Sequence, residues 1–320
     1  MTRVRDRRGF LSASARLLGA GVLTSVAGLR PGAAQRATGI LAVVPLRDDG
    51  LVQIRGPSSN VLLLAERTGA LLVDSGTAET SAELRHTLDE RLGGARVGTL
   101  INTHWHPDHT GGNDAFGKAG AKIAAHENTR LWMSTEYYVD WQRRTYEPRA
   151  PEALPNATFF SSDPQPIVLE SGGEHVEYGH LREAHTDGDV YVHFRERNVI
   201  AAGGAVGGGM YPILDPATGG WIGGLVEAQT KLLALTNDET LIVPHSGPAQ
   251  SRAQLEEQLA MLRTVRERVE NLMRKGRSAA EMIAAGVTAE FDARYGGDGP
   301  RFIRNMYDGL WWTGRLTNSL

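Results

Sequence analysis

The feature that most constrains this 320-residue chain is a run of six residues, His104-Trp105-His106-Pro107-Asp108-His109, that crowds four side chains able to ligate a metal into one short segment. The chain has ten histidines and no cysteine. Any metal must therefore be held by imidazole and carboxylate, and disulfides, thiolate ligands and a Cys nucleophile are excluded. Zinc accepts both remaining donor types, and residues two apart in an extended segment share a face, so His104 and His106 can reach one ion. The surroundings of the run matter as much as its composition. Residues 97–102 read as a buried strand, residues 113–119 as a helix and residues 122–125 as the next strand. This βαβ unit sets the histidines at the carboxyl end of a strand, where parallel sheets gather their functional groups.

Before this unit, residues 51–55, 60–65 and 70–73 are short apolar runs separated by Gly56-Pro57-Ser58 and Thr68-Gly69, the pattern of a β-meander. A helix is expected over 78–91, with Leu84, Leu88 and Leu92 at helical spacing and Gly93-Gly94 as its stop. The second half repeats the theme, with strands near 174–178, 189–194, 198–202 and 240–243 and helices near 222–235, 253–275, 279–284 and 299–311. No short tandem repeat is present. With 41% hydrophobic residues, residues 35–320 suffice for one large core, and the element order predicts an α/β protein: a four-layer αββα sandwich of two ββαβ-like halves.

Residues 1–34 are set apart. Arg3, Arg5, Arg7, Arg8 and Arg16 precede or open a weakly apolar stretch over 17–29, and Arg7-Arg8-Gly9-Phe10-Leu11 resembles a twin-arginine export signal, with Gly32 and Ala34 placed for cleavage near Gln35. The apolar run is too short and too rich in glycine for a stable membrane span. Periplasmic or otherwise exported localisation follows as an expectation. Residues 1–34 carry six Arg and one Asp, so without them the formal charge moves from −3 to −8. An acidic protein of this kind is a poor candidate for nucleic-acid binding, and the expected partner is a small-molecule substrate.

The six-residue run resembles the HxHxDH motif of the metallo-β-lactamase superfamily. Leu72-Val73-Asp74-Ser75-Gly76 is similar to the strand end whose Asp supports the metal loop, and Ala184-His185-Thr186-Asp187-Gly188-Asp189 to the segment supplying a third histidine. The resemblance spans about residues 51–248 and implies a metal-dependent hydrolase. In it His104, His106 and His185 hold one zinc, whose water ionises at a pKa of about 7. Asp108 orients that water, and Asp108 and His109 begin a second metal site.

Two departures bear on that second site. Gly203-Gly204 stands where the family has Gly-Asp, so a bridging carboxylate is lost. Pro244-His245-Ser246-Gly247 stands where the family has Pro-Gly-His-Gly, so His245 is only a candidate ligand, shifted by one position. The expectation is one tightly bound Zn2+ with the second weak or absent. His126 and Asp215 are read as supporting residues.

Residues 132–146, with Tyr137, Tyr138, Trp141, Tyr146, Arg143 and Arg144, fit either a cover over a pocket or an amphipathic helix packed on the sandwich. Ala125-His126-Glu127-Asn128-Thr129-Arg130, Met210-Tyr211-Pro212-Ile213-Leu214-Asp215 and Thr218-Gly219-Gly220-Trp221-Ile222-Gly223-Gly224 are similar to an exported branch that includes hydrolytic dehalogenases of chlorinated aromatic nitriles. The competing expectation is a non-catalytic metal-binding protein that kept the fold.

Overall fold

The computed structural model describes residues 40–66, 69–160, 166–296 and 298–313, and the expected export segment lies outside them. The chain opens with an antiparallel meander of β1 (Ala42–Leu46), β2 (Asp48–Arg55), β3 (Asn60–Ala65) and β4 (Ala70–Val73). Helix α1 (Ser81–Leu92) closes on Gly93, whose φ of 57° supplies the left-handed cap, and crosses to β5 (Val97–Ile101), parallel to β4. Two short helices, α2 (Pro107–Thr110) and α3 (Asn113–Lys118), lead to β6 (Lys122–His126), parallel to β5. After α4 (Glu127–Ser134) comes a hairpin of β7 (Tyr137–Val139) and β8 (Arg144–Tyr146), and then β9 (Ala157–Phe159) extends the sheet beyond β6. The strand order is β1-β2-β3-β4-β5-β6-β9.

The second sheet runs β10 (Ile167–Ser171), β11 (Glu174–His180), β12 (Val190–Phe194) and β13 (Val199–Gly203) in antiparallel succession. After α5 (Ile222–Ala234) it gains β14 (Leu241–Pro244), parallel to β13. Helices α6 (Arg252–Arg274), α7 (Ala279–Ala284), α8 (Ala289–Tyr295) and α9 (Gly299–Thr313) complete the described chain.

The four layers follow from strands that are apolar on both faces. Along β3, Val61 and Leu63 pack towards Leu84 and Leu88 of α1, whereas Leu62 and Leu64 face the other way, into a cluster with Tyr178, Val192 and Phe194 of the second sheet. Alternate side chains thus serve two cores. On β12, Tyr191 faces outward to the cluster that holds Leu225 of α5 and Leu262 and Val265 of α6. Each fully buried Leu or Val contributes about 1.5–3 kcal/mol relative to exposure, so polar residues in such strands need a reason. Gln53 and Asn60 are buried in β2 and β3, and their reason lies in the turn after β14.

The αββα sandwich is as expected, and most elements end within a few residues of the sequence-based bounds. The 132–146 segment is not one helix. Its aromatics divide between α4 and the β7–β8 hairpin, which turns through Arg143 at φ 50°. Among the described residues no helix is long and apolar enough to cross a membrane.

Candidate metal centre

The chain leaves β5 at Ile101 and is fixed at once by Asp74 at the end of β4. Asp74 Oδ1 accepts the Thr103 backbone N–H (2.8 Å), and Oδ2 accepts the Thr103 hydroxyl (2.8 Å) and His109 Nδ1–H (2.7 Å). Asp74 itself sits at φ +62°, a strained conformation costing on the order of 1–3 kcal/mol that the three hydrogen bonds hold in place. The sequence-based support role of Asp74 thus corresponds to direct contacts with the loop and with His109.

Two groups of histidines gather above this support: His104, His106 and His185, and His104, His109 and His245. The first group is fully walled in, with His104 and His185 at 0% exposure. Its outer nitrogens are committed as donors. His185 Nδ1 lies 2.6 Å from the Ile213 carbonyl, His106 Nε2 lies 3.0 Å from Asp215 Oδ2, and His104 Nδ1 lies 3.0 Å from the Thr103 hydroxyl. A carbonyl can only accept, so His185 carries its proton on Nδ1 and presents a lone pair at Nε2. Asp215 fixes His106 the opposite way round, with the lone pair on Nδ1. These two inner nitrogens face each other at 2.8 Å, and His104 Nε2 is buried with no hydrogen-bond partner. Three lone pairs converging without a proton donor are the coordination shell of a cation, so the residues fit a divalent metal. Burial, reinforced by the neighbouring imidazoles, holds the pKa of His104 and His185 well below the usual histidine value.

The second group opens towards solvent on one side. His109 Nε2 lies 2.8 Å from His245 Nδ1, and Asp108 Oδ2 lies 3.3 Å from His245 Nε2 and 3.8 Å from His109 Nε2. Burial opposes charge on His109, but the carboxylates of Asp74 and Asp108 outweigh it and raise its pKa. Burial next to His109 depresses His245 to about 3. For Asp108 burial is overcome by His109 and His245, so its carboxyl stays below the usual range.

The structure places His245, the candidate ligand shifted by one position, beside His104 and His109. The turn is clamped from afar. The Asn60 backbone N–H donates to the His245 carbonyl (2.9 Å), His245 N–H donates to the Val206 carbonyl (3.0 Å), and the Asn60 amide donates to the carbonyls of Pro244 and Gly247 (both 2.9 Å). Gln53 adds a 2.7 Å bond to the Gly247 carbonyl, and Gly247 takes φ +79°. These are the roles of the two polar residues buried in β2 and β3. Asp108 stands beside the second group, so the open side offers Asp108, His109 and His245 as donors in addition to the shared His104.

Gly204 is also more than a missing ligand. A Cβ there would overlap the ring of His185, and one on Gly203, at φ +49°, would stand 2.6 Å from Thr103 Cβ. The bare backbone of β13 and the residue after it is what lets the imidazole and the ligand loop approach. Asp187 and Asp215 belong to neither group. Asp187 Oδ1 accepts Trp132 Nε1–H and Asp215 Oδ1 accepts Trp141 Nε1–H, both at 2.8 Å, which ties α4 and the β7–β8 hairpin to the centre. The tautomer-setting role of Asp215 was not assigned from sequence. Asp189, likewise missed, accepts the backbone N–H groups of His185 (2.6 Å) and Thr186 (2.8 Å). His126 stacks on His180 at 4.0 Å, apart from both groups.

Comparison with known proteins agrees with this architecture. A lactamase-like protein, adaB, from Aspergillus niger is 23% identical over 82% of this chain and 71% of its own length. A metallo-beta-lactamase from Pontibacter korlensis superposes with a TM-score of 0.57 at 20% identity, covering 70% of this chain and 99% of that one. The sec-alkylsulfatase Pisa1 from Pseudomonas sp. gives 0.63 at 18% identity over 83% of this chain, which spans 50% of that larger protein. These structural likenesses show the fold. The model of the metallo-beta-lactamase superfamily matches residues 54–268, and the chain belongs to that superfamily.

Proposed function

We propose that this protein is a zinc-dependent hydrolase with a two-metal centre, in which His104, His106 and His185 hold the tighter ion and Asp108, His109 and His245 the weaker one. The observation that carries the reading is the facing pair of lone-pair nitrogens, His185 Nε2 and His106 Nδ1 at 2.8 Å, beside the partnerless His104 Nε2. When bound, zinc supplies Lewis acidity and brings the pKa of water to about 7.

The remaining work falls to the chain. Asp108, with its side chain 26% exposed beside two buried imidazoles, faces both the donors and solvent. It accepts a hydrogen bond from the attacking water and orients its lone pair towards the substrate. Asp215 and Asp74 keep the outer protons on His106 and His109, so that in the neutral rings the inner nitrogens carry the lone pairs. Trp105, 2% exposed and bonded to Thr218 Oγ1 at 3.1 Å, closes the back of the site against bulk water.

The test is metal content by plasma mass spectrometry on protein loaded with zinc, paired with a hydrolysis screen. The screen covers esters, thioesters, lactones, amides, β-lactams and chloroaromatics, the last because of the resemblance to dehalogenases. Two zinc ions per chain and an activity abolished by chelation are expected. Hydrolysis that persists in metal-free protein overturns the reading. A loaded protein without turnover on any class favours a metal-binding protein instead. We also propose export by the twin-arginine route, for which Lys replacement of Arg7 and Arg8 should trap the chain in the cytoplasm.

A further inference from the structure

Beside Asp108 lies a cavity of about 600 Å³, a volume suited to a small organic molecule. The ligand loop forms one wall through Pro107 and Asp108, and β8 and the residues after it form another through Arg144, Tyr146 and Arg149. Neither guanidinium has a carboxylate within ion-pair distance among the described residues, in contrast to Arg195, which pairs with Glu177 at 2.8 Å. Glu79 and Glu147 also edge the cavity; both are exposed, as is Arg144, and the charge of Arg144 is among the influences that lower the Glu79 pKa without an ion pair forming between them.

A ring contact positions the Arg144 guanidinium, and a backbone hydrogen bond anchors the chain at Arg149. Arg144 stacks over the Tyr146 ring at 4.8 Å, and the backbone N–H of Arg149 donates to the Met133 carbonyl at 2.8 Å. Burial, and the like charge of Arg144, disfavour the bare cation at Arg149. Two forks of N–H donors with no protein acceptor among the described residues, lining a cavity that ends at the water-orienting carboxylate, match the oxygens of an oxyanion.

We propose that Arg144 and Arg149 form an oxyanion-binding subsite, so that the substrate is a small molecule carrying a carboxylate, sulfate or phosphate at one end, with its scissile bond directed to Asp108. This rests on the hydrolase reading for the word substrate, and the subsite itself is testable without turnover.

The experiment is equilibrium dialysis of the zinc-loaded protein against 4-nitrobenzoate and its neutral counterpart, 4-nitrobenzamide. The benzoate should bind at least about tenfold more tightly, a preference of about 1.4 kcal/mol, and the double variant R144Q/R149Q should erase it. A preference that survives in the double variant places the carboxylate on the metals instead and overturns the proposal, as does equal binding of the two probes to the native protein. If the double variant loses its circular dichroism signature, R144Q alone, at an exposed site, decides the matter: a fall of at least about threefold in the preference supports the subsite, and no change overturns it. An inactive protein that keeps the Arg-dependent preference removes the hydrolase reading and leaves the subsite standing. An active one without the preference does the reverse.

Discussion

The two histidine groups share His104 but solve different problems. The inner group is sealed, and each of its outer nitrogens has one partner that sets which inner atom is bare: the Ile213 carbonyl, Asp215 and the Thr103 hydroxyl. The other group is open on the cavity side, with Asp108 and His245 side chains 26% and 13% exposed, and besides the shared His104 it is His109 that has such a partner, in Asp74. The contrast teaches that a ligand's worth is set by what stands behind it. A sealed donor with a fixed proton pays no reorganisation when the ion arrives, whereas an open one must first give up water.

Five measurements break or sharpen this contrast. His106→Ala removes a ligand from the sealed group and leaves the Asp215 carboxylate buried without its partner, so hydrolysis should fall by more than about a thousandfold; residual activity near the native level defeats the assignment. Gly204→Ala adds no ligand and removes none, yet it pushes on the His185 ring. Affinity for the first zinc should drop by about a hundredfold, in keeping with the 1–3 kcal/mol that overpacking costs, and competition with a chromogenic chelator reads it. Gly204→Asp, which restores the family's carboxylate, should do at least as much harm.

His245→Ala should abolish binding of the second equivalent and lower turnover by about tenfold to a hundredfold, while the first equivalent titrates as before; loss of both equivalents would show that the groups are not separable. Asp215→Asn keeps the shape and removes the charge behind His106, so metal affinity should weaken by about 10–100-fold, and Asp187→Asn, which touches neither group, serves as its control. The smallest effect concerns the metal-free protein in acid. His104, His185 and His245 have depressed pKa values, the last to about 3, so between about pH 3 and 6.5 the unfolded chain binds protons that the folded one refuses. Stability must therefore fall as pH falls through that window. His109, raised above its ordinary value, adds stability that is fully present below pH about 6.5 and lost as pH rises through its folded pKa, so it leaves the slope in the acid window unchanged, whereas Asp189, pushed up to about 8 by burial, keeps in the folded chain a proton that the unfolded chain has lost and offsets one of the three. Each uncompensated histidine contributes about 1.4 kcal/mol per pH unit. Urea melts of metal-free protein at pH 5 and 6.5 measure the slope.

Local features were readable in the sequence and distant ones were not. The strands that carry the site are apolar at successive positions because both faces are covered, and the helices show their spacing and stops; α6 even announces itself with a Ser251–Gln254 capping box. The loop from His104 to His109 stands out on composition alone. The orientation of His245 could not be read in the same way, because it is decided by Asn60 and Gln53, residues far away in the chain whose polarity inside apolar strands was the one available signal. The meaning of Gly204 depends on a ring that arrives from residue 185. The 132–146 segment resisted a single reading because Trp and Tyr suit a packed helix and a strand pair alike, and Arg143 turns the chain without a glycine.

The glycine beneath His185 also acts as a ratchet on the history of this chain. A side chain at position 204 and the present seat of the His185 imidazole exclude each other, so no single substitution introduces a carboxylate there without displacing that ring. Change is steered instead towards the open side, where Asp108, His245 and the arginine-lined cavity can vary while the sealed histidines keep their places. The chemistry free to diversify in this protein is thereby confined to one half of its metal centre.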